Sequence, residues 1–200
     1  MTNAFLELIQ KRRTIYALSK ESTLADEQIL ELVQESVKHT PSAFNSQSAR
    51  AVVLLGEQHN KLWDITTDIL KAIVPADQFE STKQRMDGFR GGYGTILYFE
   101  EEKVVEQLQA SFPTYQDRFP TWSQHGSAML QFVVWTSLAE AGMGASLQHY
   151  NPLIDEKVKA EWGLPESWQL VAQMPFGKIA APAGEKTFQP VEDRVKSFKN

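Results

Sequence analysis

The feature that most constrains the fold is a segment that is apolar nearly all the way round, Ser127 to Ala141. At helical spacing its alanine, methionine, leucine, valine and aromatic side chains fall on most sides, and a helix of that kind is buried on most sides. The surrounding apolar stretch also contains Gln131, Thr136 and Glu140, so a buried helix is a better interpretation than a membrane span. In a chain of 200 residues the segment is therefore either the central helix or part of a dimer interface.

Shorter helices and strands surround this segment. Apolar periodicity predicts a first helix around Phe5 to Ile9 and a second around Ile29 to Val37, with Ser22 or Thr23 as its N-cap. The remaining predicted helices cover residues 62–73, 78–90, 104–108 and 153–162, and the predicted strands cover residues 51–55, 95–99, 145–148 and 169–174. Strands interleaved with helices indicate a mixed sheet with helices packed against it.

Composition limits the organisation and the partners of the chain. The absence of long linkers and repeats predicts one domain over residues 1–200, whose tail, residues 179–200, is too poor in apolar residues to pack alone. That tail is either disordered or wraps another surface. A net charge of −5 argues against a nonspecific nucleic-acid binder, and the absence of cysteine excludes disulfides and thiolate metal sites. The histidines form no metal motif, so no metal site is expected, and a cytoplasmic location is consistent with these features.

Two short segments carry the chemistry that can be inferred from residue type. Arg12-Arg13-Thr14 joins two guanidinium groups, which fork onto phosphate oxygens, to a hydroxyl. The segment from Pro41 to Gln47 contains hydroxyl and amide side chains, including Ser42 and Asn45, that can donate and accept at a heterocycle edge. Together they indicate a phosphorylated heterocyclic cofactor. Taken alone, each has an ordinary explanation, a basic helix end or a helix-to-strand connection.

Later segments are weaker signals. Gly142 and Gly144 follow a predicted helix and precede a predicted strand, the reverse of a dinucleotide fingerprint, so a helix C-cap is the better interpretation. Gln148, His149 and Tyr150 stand where a strand ends before a proline turn, and backbone N–H groups there can point at a ligand. Most late basic residues are simply solvated, but Lys178, Lys186 or Arg194 could complete a phosphate site.

In order and spacing, these segments resemble the FMN-dependent nitroreductase family, in particular its short fatty-acid-repression-type and copper-induced branch. The resemblance extends over nearly the whole chain and also includes Pro175-Phe176-Gly177-Lys178. It implies an α+β fold in which helices flank a mixed central β-sheet. It further implies an intertwined homodimer with FMN at its interface and the tail 179–200 wrapping the partner.

The resemblance also assigns roles to residues of this chain. Arg12, Arg13 and Thr14 fall on the segment that binds the phosphate, ribityl chain or pyrimidine edge of FMN. Ser42, Asn45 and Gln47 fall on the segment that meets the flavin partly from the other subunit. The remaining implied cofactor-binding residues are Gln148, His149, Tyr150, Gly177, Lys178, Lys186 and Arg194.

The implied activity is an FMN-dependent NAD(P)H oxidoreductase. NADH or NADPH reduces the flavin at N5 and a nitroaromatic or quinone-like acceptor then reoxidises it, in ping-pong order, with no indispensable catalytic side chain. Two departures from the family pattern, Ser48-Ala49 and His149, lie close to the flavin and motivate an alternative, a flavin-binding regulatory or stress-response protein with weak turnover. A phosphate-ligand module without redox chemistry is a third hypothesis. Neither a nucleic acid nor a membrane is an expected partner.

Overall fold

The computed structural model describes residues 3–199, which form eight α-helices and five β-strands. The helices are α1 (Ala4–Lys11), α2 (Asp26–His39), α3 (Gly56–Ile73), α4 (Phe79–Arg90), α5 (Glu102–Ser111), α6 (Phe119–Glu140), α7 (Asp155–Trp162) and α8 (Val191–Arg194). The strands are β1 (Leu18–Ser19), β2 (Ala49–Leu55), β3 (Gly94–Glu101), β4 (Met143–Ala145) and β5 (Trp168–Ile179). Within this described part of the chain, no helix is long and apolar enough to cross a membrane.

The strands form one sheet in the order β1-β5-β3-β2, with β4 also paired to β5. Every ladder between the named strands of the described residues is antiparallel. Thr14, which precedes β1, forms a parallel bridge with Ala145 of β4. The predicted α+β class, with helices flanking a central sheet, is confirmed.

The central strand β3 separates two hydrophobic cores because alternate residues point to opposite faces of a sheet. Ile96 and Tyr98 face the core that contains α2 and α6, whereas Leu97 and Phe99 face the core that contains α3, α4 and α7. All four side chains are fully buried. The sheet is therefore covered on both sides, and the two sides can be compared directly.

Helix α6 lies across the first of these faces and begins eight residues earlier than the sequence pattern predicts. Leu130, Val134 and Leu138 repeat every four residues and are buried against the sheet. Met129 and Val133, on another side of the helix, keep 39% and 36% of their surface exposed. One apolar side of the helix thus remains uncovered in the single chain.

Several helix ends confirm the sequence-based expectations, and one does not. Gly163 and Gly142 adopt φ values of 59° and 83° just beyond α7 and α6, as expected for C-terminal glycines. The predicted N-cap of α2 is wrong, since Ala25 occupies that position. The Ser22 hydroxyl instead accepts a hydrogen bond from the Leu24 amide, and the Thr23 hydroxyl donates to the Ala141 carbonyl, which ties the α2 entrance to the end of α6.

The C-terminal tail leaves the sheet at Ile179 and stays on the surface. Its largest apolar side chains, Phe188 and Phe198, are 74% and 95% exposed. Residue 200, the last residue of the predicted wrapping segment, lies outside the described residues.

Candidate functional site

The segment after α1 runs alongside the short strand β4. The Ile15 amide donates to the Ala145 carbonyl over 2.9 Å, and Thr14 forms the parallel bridge to the same residue. Gly144 is needed for this approach, because a Cβ atom there would lie only 2.8 Å from Cγ2 of Ile15. Arg12 to Thr14 are therefore held between the end of α1 and the edge of the sheet.

Arg12 is a half-buried cation without an ionic partner. Its guanidinium carbon lies 4.4 Å from the ring centre of Trp135 and 5.8 Å from that of Phe132. Its Nε is buried without a hydrogen-bond acceptor, and no carboxylate within residues 3–199 forms a salt bridge with it. Burial, followed by repulsion from Arg13, lowers the pKa of Arg12. An anion brought to this position would relieve both effects.

Arg13 connects this segment to the C-terminal tail. Its Nη2 donates to the Gly184 carbonyl over 2.6 Å, which brings the tail, two residues before Lys186, to the arginine pair. Lys178 is engaged elsewhere, since its Nζ pairs with the Glu21 carboxylate at 2.8 Å. Arg194 lies exposed on α8. Of the three late cations predicted to complete a phosphate site, Lys186 is the one whose chain neighbourhood contacts Arg13.

The segment after β4 contains an available backbone donor among the residues predicted to meet the flavin. The Gln148 amide donates to the Gln173 carbonyl, and the Tyr150 amide donates to the Gln173 side-chain oxygen over 2.8 Å. Between them, the His149 amide has no hydrogen-bond acceptor among the described residues. Gly177, on the neighbouring stretch of β5, packs so closely against the Ser19 carbonyl oxygen that no side chain fits.

A cavity of about 580 Å³, within the size range of small-molecule sites, lies between Tyr16, α4 and Gln148. It is lined by Tyr16, Gln84, Arg85, Gly88, Phe89 and Gln148. Tyr16 follows the arginine pair in sequence, and Gln148 precedes the available His149 amide. The cavity thus adjoins the segment after β4 and reaches the chain three residues beyond the arginine pair.

The Pro41–Gln47 loop is held in an unusual backbone conformation. Phe44, Asn45 and Gln47 adopt positive φ values of 56°, 50° and 49°, a region that non-glycine residues seldom occupy. The Ser42 hydroxyl accepts a hydrogen bond from the Gln47 amide over 2.9 Å and closes the loop. Asn45 and Gln47 are both exposed, and the Asn45 side-chain amide has no partner in the described chain. Such strained, exposed polar loops concentrate at ligand sites.

The loop and Arg12 lie at different places on α6. Ser42 Cβ lies 3.7 Å from the position that a Cβ atom would take at Gly126, whereas Arg12 packs on Trp135, nine residues later. Nine residues correspond to about two and a half turns and about 14 Å, so these two contacts are on opposite sides of the helix. The structure therefore does not bring the two predicted halves of the site together within one chain.

Sequence reasoning missed several residues of this region. Trp135 and Phe132 were recognised as apolar residues of a buried helix, but not as contacts of Arg12. Their spacing of three residues on α6 was an available signal, since it places both rings on one face. Arg85 of α4 had no local signal, because only the tertiary fold brings it to the cavity.

Comparison with known proteins identifies the family. The nitroreductase family profile matches residues 9–178. Nitroreductase FRM2 of Saccharomyces cerevisiae is 35% identical over 190 residues, covering 94% of both chains.

Among solved structures, nitroreductase CinD from Lactococcus lactis in complex with 4-nitrophenol is 47% identical, with a TM-score of 0.89, over 98% of this chain and 100% of that one. A nitroreductase-type protein from Desulfovibrio desulfuricans in complex with FMN shares the fold, at 18% identity and a TM-score of 0.69 over 100% of this chain and 99% of that one. The chain therefore belongs to the nitroreductase family.

Proposed function

We propose that this protein is an FMN-dependent NAD(P)H oxidoreductase that reduces nitroaromatic or quinone-like acceptors. The observation that carries the proposal is the half-buried Arg12 cation, which has no carboxylate partner in the described chain and belongs to a segment that runs alongside β4. A 580 Å³ cavity reaches Tyr16 of the same stretch of chain and Gln148, the residue before the available His149 amide. Membership of the nitroreductase family, an oxidoreductase family, supports the reaction type.

The residues present fit the chemistry of FMN. Arg12, Arg13 and Thr14 would hold the phosphate end, with Lys186 brought close through the contact between Arg13 and Gly184. The His149 amide would face the edge of the isoalloxazine ring, flanked by Gln148 and Tyr150. Bound FMN would supply the redox chemistry, taking a hydride from NADH or NADPH and passing reducing equivalents to the acceptor. The protein itself would orient flat partners and place donors where negative charge develops.

The acceptor class is supported by the relative CinD, whose complex contains 4-nitrophenol. A flat nitroaromatic or quinone matches the need for stacking on a ring. FMN as the cofactor is supported by the complex of the Desulfovibrio desulfuricans protein with the same fold. We place the reaction in the cytoplasm, which is consistent with a chain that contains no cysteine.

We further propose that the active form is a homodimer. Arg12 and the Ser42–Gln47 loop contact opposite sides of α6, so a flavin that uses both would take them from different chains. A second cavity of about 580 Å³, lined by α2, Ser42, Gln47 and the edge strand β2, offers a surface for a second copy. The exposed apolar residues of the tail, Phe188, Val191, Val195 and Phe198, would cover such a surface.

The experiment is a visible spectrum of the purified protein. We expect a flavin absorbance that NADH or NADPH bleaches without oxygen and that 4-nitrophenol restores. Arg12→Ala should weaken FMN binding by about 1.5–3 kcal/mol through loss of a charge-assisted hydrogen bond. Lys71→Ala, which removes an exposed cation at the end of α3, is the matched control and should bind FMN normally.

A protein that takes up no FMN contradicts the proposal. Firm FMN binding with negligible turnover toward several nitroaromatics and quinones favours the alternative of a flavin-binding regulatory protein. Molar mass in solution tests the dimer. A wild-type protein that is monomeric while it holds FMN firmly contradicts the dimer.

A further inference from the structure

The guanidinium group of Arg12 packs on two aromatic rings of α6. Its carbon atom lies 4.4 Å from the ring centre of Trp135 and 5.8 Å from that of Phe132. Both distances are within the range of cation–π attraction, for which an indole is the strongest aromatic partner. We name Trp135 and Phe132 the aromatic shelf.

The shelf holds Arg12 without neutralising it. A carboxylate at the same place would fix the side chain but would cancel the positive charge that attracts a phosphate. Instead, Arg12 Nε and Trp135 Nε1 are both buried without hydrogen-bond partners, and α1 and α6 confine the side chain by packing. The pKa of Arg12 is lowered mainly by burial, which agrees with a partly desolvated cation that has no counter-ion.

The shelf lies beside the stripe of α6 that packs on the sheet. Leu130, Val134 and Leu138 form the stripe buried on the sheet. Trp135 is only half-buried: it packs against the margin of that core and also faces Arg12. A tryptophan that served only as core filling would not need to present its ring face to a cation.

We propose that Trp135 is a positioning residue for the phosphate group of the flavin. It holds the Arg12 guanidinium group in place and leaves the charge available, with Phe132 as a secondary support. This inference rests on the proposed function, since it assigns a role at the same cofactor site.

The test compares FMN with riboflavin, which lacks the phosphate. Dissociation constants of both are measured by flavin fluorescence for the full-length wild type, Trp135→Phe and Trp135→Leu. For Trp135→Leu we expect FMN binding to weaken about 3- to 30-fold, the range of cation–π attraction, with riboflavin binding unchanged. Trp135→Phe keeps a weaker aromatic face and should give a smaller loss of the same kind. Met129→Leu, at an exposed position of α6, is the control and should change neither constant.

A double-mutant cycle with Arg12→Ala tests whether Trp135 acts through Arg12. In the Arg12→Ala background, Trp135→Leu should cause no further loss of FMN affinity. Additive losses, unchanged FMN affinity in Trp135→Leu, or equal losses of FMN and riboflavin would each overturn the proposal. Should Trp135→Leu fail to fold, Trp135→Phe decides alone, and an unchanged ratio of FMN to riboflavin affinity overturns it. A wild type that binds neither flavin would instead contradict the proposed function.

Discussion

Two sets of buried polar side chains, on opposite sides of the sheet, differ in how completely they are hydrogen-bonded. On the α3 face, His59, Thr95 and Trp63 form a closed cluster in which each polar side chain has a partner from the same chain. On the α6 side, Arg12 Nε, Trp135 Nε1 and both carboxylate oxygens of Glu100 are buried without partners in the described chain. Asn151, Asp155 and Gln173 near the α3 face also have unpartnered buried atoms, so the contrast is between these two sets of residues and not between the whole faces. Because native chains pair nearly all buried polar groups, the unpartnered atoms of Arg12 and Trp135 indicate a place where the chain is completed from outside.

The hydrogen-bond partners in the closed cluster determine which of its atoms carry protons. Trp63 Nε1 can only donate, and it donates to the Thr95 hydroxyl over 3.0 Å. The Arg90 carbonyl can only accept, so His59 Nε2 carries the proton and Nδ1 accepts from Thr95 over 2.8 Å. Every group of the cluster is satisfied only when His59 is neutral. Burial accordingly lowers the pKa of His59 to about 4.

Glu100 represents the opposite case. The residue is 1% exposed and lies at the end of β3, on the face that carries α6. Burial raises the pKa of Glu100 to about 7. The nearby Ser48 hydroxyl, which does not reach hydrogen-bond geometry with the carboxylate, and the charge of Arg50 oppose that shift. Glu102 and Glu106 of α5 line the adjacent 210 Å³ cavity and offer no positive charge.

The largest effect is expected from breaking the closed cluster with Thr95→Val. The substitution keeps the shape of a fully buried side chain but leaves both Trp63 Nε1 and His59 Nδ1 without partners. We expect the free energy of unfolding to fall by about 4 kcal/mol, since each buried orphan costs about 1–3 kcal/mol. Urea denaturation measures it.

The matched control for Thr95→Val is Thr66→Val, at another fully buried threonine on the same face. The Thr66 hydroxyl bonds only to the Leu62 carbonyl within α3, so the loss should stay below about 1 kcal/mol. Equal losses at the two positions would show that the cluster has no special role.

Acid should destabilise the folded protein by protonating His59 in the closed cluster. The folded chain holds this histidine with a pKa of about 4 against 6.5 for the free side chain, so the unfolded chain binds more protons between these values. Stability should therefore decrease as the pH falls from 6.5 to 4, by about 3 kcal/mol from this residue. An NMR titration of the His59 ring that shows protonation near pH 6.5 in the folded protein would contradict the assignment.

A rise in pH should destabilise the protein through Glu100. The folded pKa of about 7 exceeds the ordinary value of 4.5, so the folded chain binds more protons than the unfolded chain between pH 4.5 and 7. The free energy of unfolding therefore falls as the pH rises through that range. Glu100→Gln should remove this loss and raise the stability at pH 8 by about 2 kcal/mol, with little change at pH 4.5. Urea denaturation at both pH values measures the difference.

Glu106→Gln, at an exposed carboxylate of the same cavity, is the control for Glu100→Gln and should change stability by less than about 0.5 kcal/mol. A gain for Glu100→Gln that is equal at both pH values would mean that the carboxylate does not titrate as described.

Local sequence signals predicted the elements well, and long-range pairing decided the rest. The period of α1, the C-cap at Gly142 and the apolar repeat of α6 depend on neighbours within a few residues, and each was predicted. The N-cap of α2 was not, because Thr23 donates instead to Ala141, 118 residues away. The cluster of His59 with Thr95 and the contact of Arg12 with Trp135 join distant segments in the same way, so residue type alone gave no sign of them.

In the proposed homodimer, the placement of Arg12 and of the loop that contains Asn45 on opposite sides of α6 has a genetic consequence. In a homodimer whose flavins each take Arg12 from one chain and the Asn45 loop from the other, two defective alleles can rescue each other. A chain altered at Arg12, paired with a chain altered at Asn45, concentrates both defects in one site and leaves the other site wild type. Mixed dimers would thus regain half of the activity that either altered chain alone has lost.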